Sequence, residues 1–126
     1  MRRLALTAAL LLSAAALPAA AQEAPPGQRV FRTQCGACHT ADQGGRNGVG
    51  PNMWGIVGRR MGAIEGFRYS AGIKAEGEKG TVWAEENLRA YVENPRAVLP
   101  QGNMPYAGLR NEQQRNDLID YLKTLR

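Results

Sequence analysis

The sequence predicts a small all-α domain in which three helices are joined by long irregular connections. Three observations favour this class. Three segments carry apolar residues at helical spacing, no segment alternates as a strand would, and eleven of the fifteen glycines fall between positions 44 and 80. A chain of 126 residues corresponds to one domain, since domains usually span ~100–200 residues.

The first two helices are predicted over residues 28–34 and 84–93. The first follows two prolines and a glycine and places Val30 and Phe31 on one face. The second has Leu88, Tyr91 and Val92 at helical spacing and two glutamates in its first turn. It ends at an Asn-Pro step, because the residue before a proline disfavours the helical conformation.

The third helix is predicted from position 111 onward, where Asn111 and Gln114 have the spacing of a capping box. Leu118, Ile119 and Leu122 then line one face. The glycine-rich stretch between the first two helices is predicted to form loops. Loops of this length need something besides the chain to pack against, and a bound cofactor would supply that missing core.

The amino terminus predicts export. Two arginines precede an almost continuous run of Leu and Ala, and Ala19-Ala20-Ala21 offers the small residues that signal peptidase accepts. We expect a signal peptide over 1–21, cleaved after Ala21, and a domain over 22–126. An uncleaved anchor is the alternative, because 18 apolar residues approach the length of a membrane span, but Pro18 disfavours it. No later stretch is apolar enough to span a bilayer.

The charge of the chain does not favour a nucleic acid as a partner. The formal net charge is +5, of which two charges belong to Arg2 and Arg3 in the predicted signal peptide. The remaining excess is small and no run of like charges occurs, so the sequence does not predict nucleic-acid binding.

The most specific motif is Cys35-Gly36-Ala37-Cys38-His39, because C-x-x-C-H is the attachment motif of c-type haem. Each cysteine sulfur adds to one haem vinyl group, and the histidine that follows lies under the iron. A disulfide would leave His39 unexplained, and a thioredoxin-like pair needs a βαβ context that is missing here. A zinc site needs four ligands, and the chain has no further Cys or His.

The sixth position of the iron remains to be filled. The chain has a single histidine, so the alternatives are a methionine sulfur, a lysine or an open position. Among the mature methionines, Met104 lies in a stretch stiffened by Pro100 and Pro105, whereas Met53 and Met61 are typical of core filling. Met104 is therefore the predicted ligand.

The ordered series of motifs resembles class I cytochrome c, the small soluble kind shared by bacteria and mitochondria. The resemblance covers nearly the whole mature chain and implies three main helices and long Gly-rich loops wrapped around one covalently bound haem c. It rests on these residues: Gly27, Phe31, Cys35, Cys38, His39, Gly50-Pro51-Asn52, Gly55, Gly58-Arg59, Gly66-Phe67, Tyr69, Trp83, Leu88, Tyr91-Val92, Asn94-Pro95, Pro100, Met104, Ala107-Gly108-Leu109, Leu118-Ile119 and Tyr121-Leu122.

The resemblance also implies roles for individual residues. The carbonyl of Pro51 would accept the Nδ1 proton of His39 and orient its ring. The hydroxyl of Tyr91 would reach the sulfur of Met104. Buried haem propionates require polar partners, and the residues that resemble these donors are Arg59, Tyr69 and Trp83.

Some positions depart from the family pattern. Gly102 stands where many relatives have a threonine, so one hydroxyl donor to a propionate is missing. The segment over 70–82 is longer than in the mitochondrial type, so none of its residues is matched. Arg96 and Arg110 remain as a thin basic rim for partner binding.

Together these features predict an exported, monomeric one-electron carrier of the periplasm rather than an enzyme. Its partners would be redox proteins, such as membrane oxidoreductase complexes or oxidases of a respiratory chain, met in transient electrostatic complexes. The main alternative is a haem-based gas-binding or sensor protein with an open or labile sixth ligand. A subunit permanently bound to an enzyme is a further alternative.

Overall fold

The described part of the chain contains five helices joined by irregular connections. The computed structural model describes residues 22–126, and the predicted signal peptide over 1–21 lies outside them. The helices are α1 (Pro26–Gln34), α2 (Ala71–Glu78), α3 (Glu85–Glu93), α4 (Pro95–Val98) and α5 (Glu112–Thr124). Within 22–126 there is no strand, only an isolated antiparallel bridge between Arg60 and Val82. The predicted all-α class is therefore confirmed.

The three predicted helices are present, with small differences at their ends. Helix α1 begins at Pro26, two residues earlier than predicted, because a proline is tolerated in the first turn of a helix. At the start of α5 the side chain of Asn111 accepts the backbone N–H of Gln114 at 2.9 Å, which is the predicted cap. None of the helices among the described residues is both long and apolar enough to cross a membrane.

Helices α1 and α5 cross closely at Gly27. A Cβ atom at this position would collide with the backbone carbonyl of Asp117, so only glycine allows the approach. Beside the crossing, the rings of Phe31 and Tyr121 pack with their centroids 5.8 Å apart. The largest fully buried side chains all come from α5, namely Leu118, Ile119 and Leu122. The crossing therefore fixes one wall of the core.

Helices α2 and α4 were not among the three predicted. Helix α2 lies in the stretch that the sequence predicted as loops, and it begins where the Ser70 side chain accepts the Ile73 N–H at 3.3 Å. Its two glycines weaken the helical pattern, yet Gly77 lets the helix pack directly on the backbone of Met61. Tertiary packing therefore overrides a weak local preference. Helix α4 is one turn, capped by Asn94.

Candidate functional site

A largely apolar cavity of about 260 Å³ lies between the helices and the loop segments. Its walls include buried side chains from α1, α3 and α5, among them Phe31, Leu88 and Leu118. It also collects nine of the residues that the sequence singled out: Cys35, Cys38, His39, Pro51, Arg59, Tyr69, Trp83, Tyr91 and Met104. Residues separated by up to 69 positions in the chain thus face one space.

The turn that follows α1 presents both cysteines to the cavity. The N–H of Cys35 continues the helix by donating to the Phe31 carbonyl at 2.8 Å. The N–H groups of Cys38 and His39 then both donate to the Cys35 carbonyl, at 3.1 and 3.0 Å, which closes a tight turn. Both thiols are free and partly buried. Burial, and secondly the nearby Cys38, raise the pKa of Cys35 to about 11.

The ring of His39 is held by the loop that follows it. Its Nδ1 lies 2.7 Å from the carbonyl oxygen of Pro51. A carbonyl only accepts, so Nδ1 carries the proton and Nε2 keeps its lone pair, as a metal ligand requires. Burial lowers the pKa of His39, the Pro51 carbonyl opposes this, and Arg59 adds to the lowering. The neutral, ligating form of the imidazole is therefore favoured.

Gly50 allows the loop to pack on this ring. A Cβ atom at position 50 would overlap the His39 imidazole, with its nearest atom Cε1. Sequence reasoning noticed Gly50 only as part of a family motif and gave it no role. The contact requires the tertiary structure, since Gly50 lies eleven residues from His39 along the chain.

The cavity also contains polar groups suited to carboxylates. The Tyr69 hydroxyl accepts the Ile64 N–H at 3.1 Å, which leaves its own proton available to donate. Arg59 is partly buried and bonded to the carbonyls of Asn52 and Trp54 at 3.0 and 3.2 Å. Burial lowers the pKa of this guanidinium, and Tyr69 opposes the lowering. An anion beside Arg59 would offset the cost of its burial.

Trp83 and Tyr91 form an aromatic pair on another wall. Their ring centroids lie 5.0 Å apart with the planes at 44°. Trp83 is only 7% exposed, and it lines the cavity. Burial raises the pKa of Tyr91, so its hydroxyl keeps its proton at neutral pH. Both side chains therefore offer a donor at the cavity.

Met104 reaches the cavity from the segment between α4 and α5. Within that segment the Tyr106 N–H donates to the Met104 carbonyl at 2.9 Å. The Tyr91 hydroxyl lies 3.8 Å from where a Cβ of Gly102 would be, so it is close to this segment. Met61 is 3% exposed and belongs to the core rather than to the cavity lining.

Met53 also lines the cavity, so lining alone does not separate it from Met104. The Met53 N–H donates to the Thr40 carbonyl at 2.8 Å. Thr40 is the neighbour of His39, and Pro51 holds the His39 ring two residues before Met53. Met53 is therefore tied to the part of the loop that carries His39, whereas Met104 comes from a separate segment.

The two arginines expected to form a basic rim for partner binding lie on the surface of the described chain. Arg96 in α4 and Arg110 before α5 are exposed, and neither lines the cavity. Arg68 does line it and is exposed, but sequence reasoning passed over it as the variable position of a motif. Ser70 was missed because its segment was left unmatched, and it lines the cavity as the cap of α2. An N-cap serine before a weak pattern was the available signal.

A side-chain hydrogen bond joins two cavity-lining residues that are distant in the sequence. The Tyr106 hydroxyl donates to Gln34 Oε1 at 2.8 Å, and both residues line the cavity. This bond joins the end of α1 to the segment that carries Met104. No signal in the sequence predicts it, because the two positions are 72 residues apart.

The donor set matches a haem better than a bare metal ion. Across 22–126, no three His, Cys, Asp or Glu side chains come together as a metal cluster would require. Two thiols and a neutral histidine instead adjoin an apolar cavity that also contains polar donors. A flat apolar ring with two carboxylates and a central metal satisfies all of these groups together.

Comparison with known proteins points the same way. The family model described as cytochrome c matches residues 24–126. Cytochrome c2 of Blastochloris viridis is 44% identical over 113 residues, which cover 90% of this chain and 86% of that protein. Cytochrome c of Trypanosoma brucei brucei is 51% identical over 86 residues, covering 68% of this chain and 89% of that protein. Cytochrome c-550 of Ancylobacter novellus is 47% identical over 98 residues, which cover 78% of this chain and 91% of that protein.

Proposed function

Because the chain belongs to the cytochrome c family and therefore binds a covalent haem c, we propose that it is a periplasmic one-electron carrier with axial ligands His39 and Met104. The observation that carries this proposal is that Cys35, Cys38, His39 and Met104 all line the same cavity. When bound, the haem supplies an iron that takes up and releases one electron.

The turn after α1 is suited to covalent attachment. Cys35 and Cys38 are separated by one turn of backbone and are both free to form a thioether. The raised pKa of Cys35 keeps it as a thiol at neutral pH, so an unreacted cysteine is a poor nucleophile here. Attachment before the cavity closes, while the thiols are exposed to water, fits this chemistry.

His39 is suited to ligate from one side of the cavity. The Pro51 carbonyl fixes its tautomer and ring orientation, and burial keeps the imidazole neutral. Met104 is suited to ligate from the other segment, and Tyr91 stands close to that segment as a hydroxyl donor. A neutral sulfur ligand and an apolar cavity both disfavour additional positive charge on the iron, so we expect a high reduction potential for a haem.

Arg59, Tyr69 and Trp83 are suited to bind the propionates. The Tyr69 hydroxyl has a proton left to donate, Trp83 brings an indole N–H to the cavity lining, and Arg59 supplies a positive charge. Arg68 and Ser70, which also line the cavity, add a charge and a hydroxyl to this set.

Electron carriage needs no acid, base or nucleophile, and we propose no catalytic residue and no enzyme activity. The mature chain would work as a monomer that meets redox protein partners, such as membrane oxidoreductase complexes or oxidases. Exposed Arg96 and Arg110 would steer these encounters toward acidic surfaces, weakly because they are only two. Reduction of an acidic partner should therefore slow when the ionic strength is raised, and a rate that does not change with salt would contradict this steering.

The periplasmic location rests on the amino-terminal sequence, where two arginines, an apolar run and small residues form an export signal. The intact mass of protein from a host that matures c-type haem tests this directly. We expect the mass of residues 22–126 plus one haem. A mass that includes residues 1–21 would show an uncleaved anchor instead.

The ligand assignment separates a carrier from the alternative of a gas-binding or sensor protein. Ferric protein should show the long-wavelength charge-transfer band of a methionine sulfur bound to iron, and ferrous protein should bind carbon monoxide slowly. Absence of that band together with rapid carbon monoxide binding would identify an open sixth position and overturn the carrier proposal.

A further inference from the structure

The peptide unit between Pro51 and Asn52 is hydrogen-bonded at both of its ends. Its carbonyl oxygen accepts from His39 Nδ1 at 2.7 Å, and its N–H donates to Asn47 Oδ1 at 2.8 Å. Because an amide N–H only donates, the Asn47 atom that faces it is the side-chain oxygen. A continuous chain of hydrogen bonds therefore runs from Asn47 through one peptide group to the imidazole.

Asn52 holds this peptide unit in a fixed orientation. The residue is only 8% exposed, and its Nδ2 donates to Thr40 Oγ1 at 2.7 Å and to the Asp42 carbonyl at 3.0 Å. Its Oδ1 accepts the Trp54 N–H at 3.0 Å, and its carbonyl accepts Arg59 Nη2 at 3.0 Å. With all of its polar groups bonded, Asn52 leaves the peptide little freedom to rotate.

The backbone on either side of Asn47 is also tied to the loop. The Thr40 hydroxyl donates to the Arg46 carbonyl at 2.7 Å, and the Gly48 N–H donates to the Gly50 carbonyl at 2.9 Å. Asn47 is exposed, but these bonds on both sides keep its side chain beside the Asn52 N–H. The hydrogen bond between Asn47 and the Asn52 N–H is therefore supported by the backbone bonds of the loop.

A peptide group transmits polarisation because its nitrogen lone pair is conjugated with its carbonyl. An acceptor on the N–H increases the negative charge of the carbonyl oxygen, and linked bonds strengthen each other by roughly 10–30%. A more negative Pro51 oxygen draws the Nδ1 proton more strongly and makes the His39 ring a better electron donor at Nε2. Such outer hydrogen bonds are known to tune metal-bound histidines.

We propose that Asn47 is a positioning residue that sets the strength of the His39–Pro51 hydrogen bond and, through it, the reduction potential of the haem. This inference rests on the proposed function, because it takes His39 as an axial ligand. A stronger acceptor at position 47 lowers the potential by favouring the oxidised iron, and the loss of the acceptor raises it.

Two substitutions of Asn47 should shift the potential in opposite directions. Asn47→Asp keeps an acceptor and makes it stronger, because charge-assisted bonds are stronger than neutral ones. We expect a lower potential and a downfield shift of the His39 Nδ1–H proton resonance in the reduced holoprotein. Asn47→Ala removes the acceptor, and we expect a higher potential and an upfield shift of the same resonance.

Gln43→Glu is the matched control for charge. Gln43 lies exposed in the same loop, and its side chain makes no hydrogen bond among the described residues. The control should lower the potential less than Asn47→Asp does and should leave the Nδ1–H resonance unchanged. Equal effects of the two acidic variants on both measurements would overturn the proposal, as would an Asn47→Ala variant that changes neither.

Failure of this inference can be told apart from failure of the proposed function. A wild-type protein that lacks the methionine-sulfur band and binds carbon monoxide rapidly would contradict the carrier assignment itself. A wild-type protein with that band, whose Nδ1–H resonance and potential ignore position 47, would contradict only the hydrogen-bond chain.

Discussion

Two segments bring ligands to the cavity, and they are stabilised in different ways. The segment over 39–54, which carries His39, is held by bonds within itself, such as the Met53 N–H to the Thr40 carbonyl at 2.8 Å. The segment over 99–110 has fewer internal bonds and depends on other elements. The Leu109 N–H donates to the Val92 carbonyl of α3 at 2.8 Å, and the Arg115 side chain of α5 donates to the Leu109 carbonyl, also at 2.8 Å.

The two proposed ligands therefore differ in their support. His39 is self-supported, because its own loop holds it, whereas Met104 depends on contacts with other elements. His39 is oriented by a network of hydrogen bonds within its own loop. Met104 keeps its position only while α3, α5 and the end of α1 remain packed around its segment. We therefore expect the Met104 side to open first when the protein is destabilised, since weakly anchored loops open at low free energy.

The largest effect is expected from removing the self-supported ligand. His39→Ala should lose the folded holoprotein, because a chain of this size with so many glycines buries too little apolar surface without its haem. Far-ultraviolet circular dichroism should show the loss of most of the helical signal. A variant that keeps full helicity and a wild-type absorption spectrum would contradict the assignment of His39.

Gly50→Ala should disturb the same side less severely. The added methyl overlaps the His39 ring, so the ring or the loop backbone must shift, at a cost of about 1–3 kcal/mol in unfolding free energy. The His39 Nδ1–H resonance should shift as its hydrogen bond weakens. Denaturant unfolding and nuclear magnetic resonance measure the two effects.

Gly44→Ala is the control within the same loop. Gly44 has φ of 70° and open space around its Cβ position, so alanine costs about 1–2 kcal/mol through backbone conformation alone. In this variant the His39 Nδ1–H resonance should keep its wild-type position. If both alanine variants moved the resonance equally, packing of Gly50 on the ring would not be the cause.

Met104→Ala should remove the sixth ligand of the iron and leave the covalent attachment of the haem intact. We expect the haem to remain covalently bound, the methionine-sulfur band to disappear, the potential to fall and ferrous protein to bind carbon monoxide rapidly. Met53→Leu is the control, because it keeps apolar volume in the other methionine that lines the cavity. Loss of the band in Met53→Leu with its retention in Met104→Ala would reverse the assignment.

A loss of stability, without loss of a ligand, is expected at Arg115, which anchors the Met104 segment from α5. Its side chain is 10% exposed and donates to the carbonyls of Leu109 and Arg110 at 2.8 and 2.7 Å. Arg115→Ala should lower the free energy of unfolding by about 2–4 kcal/mol, since two charge-assisted bonds are lost. The methionine-sulfur band should also disappear at a lower denaturant concentration than in the wild type.

Glu93→Gln tests whether the ion pair to Arg115 contributes. The two side chains are 3.6 Å apart, and the Glu93 side chain is 48% exposed. We expect a change of only about 0–1 kcal/mol, because solvent screens exposed pairs. A loss as large as that of Arg115→Ala would assign the anchoring to the ion pair rather than to the carbonyl bonds.

Local patterns predicted the strongest elements of this chain. Helices α1, α3 and α5 follow from apolar spacing and from the prolines and caps at their ends, all of which lie within a few residues of each other. The C-x-x-C-H motif predicts its own chemistry in the same way, because the attachment needs five consecutive residues. Helix α2 was not predicted, since its stability comes from Ile73 and from the packing of Gly77 on Met61 rather than from a strong local pattern.

The sequence by itself determined the all-α class, the attachment motif and the short list of methionines that could ligate the iron. Only the tertiary structure decided that Met53 lines the cavity and is tied to the His39 loop, and that Arg68 and Ser70 also line the cavity. The reason is physical. A helix or a covalent motif depends on neighbours in sequence, whereas the lining of a cavity depends on which distant segments pack against each other.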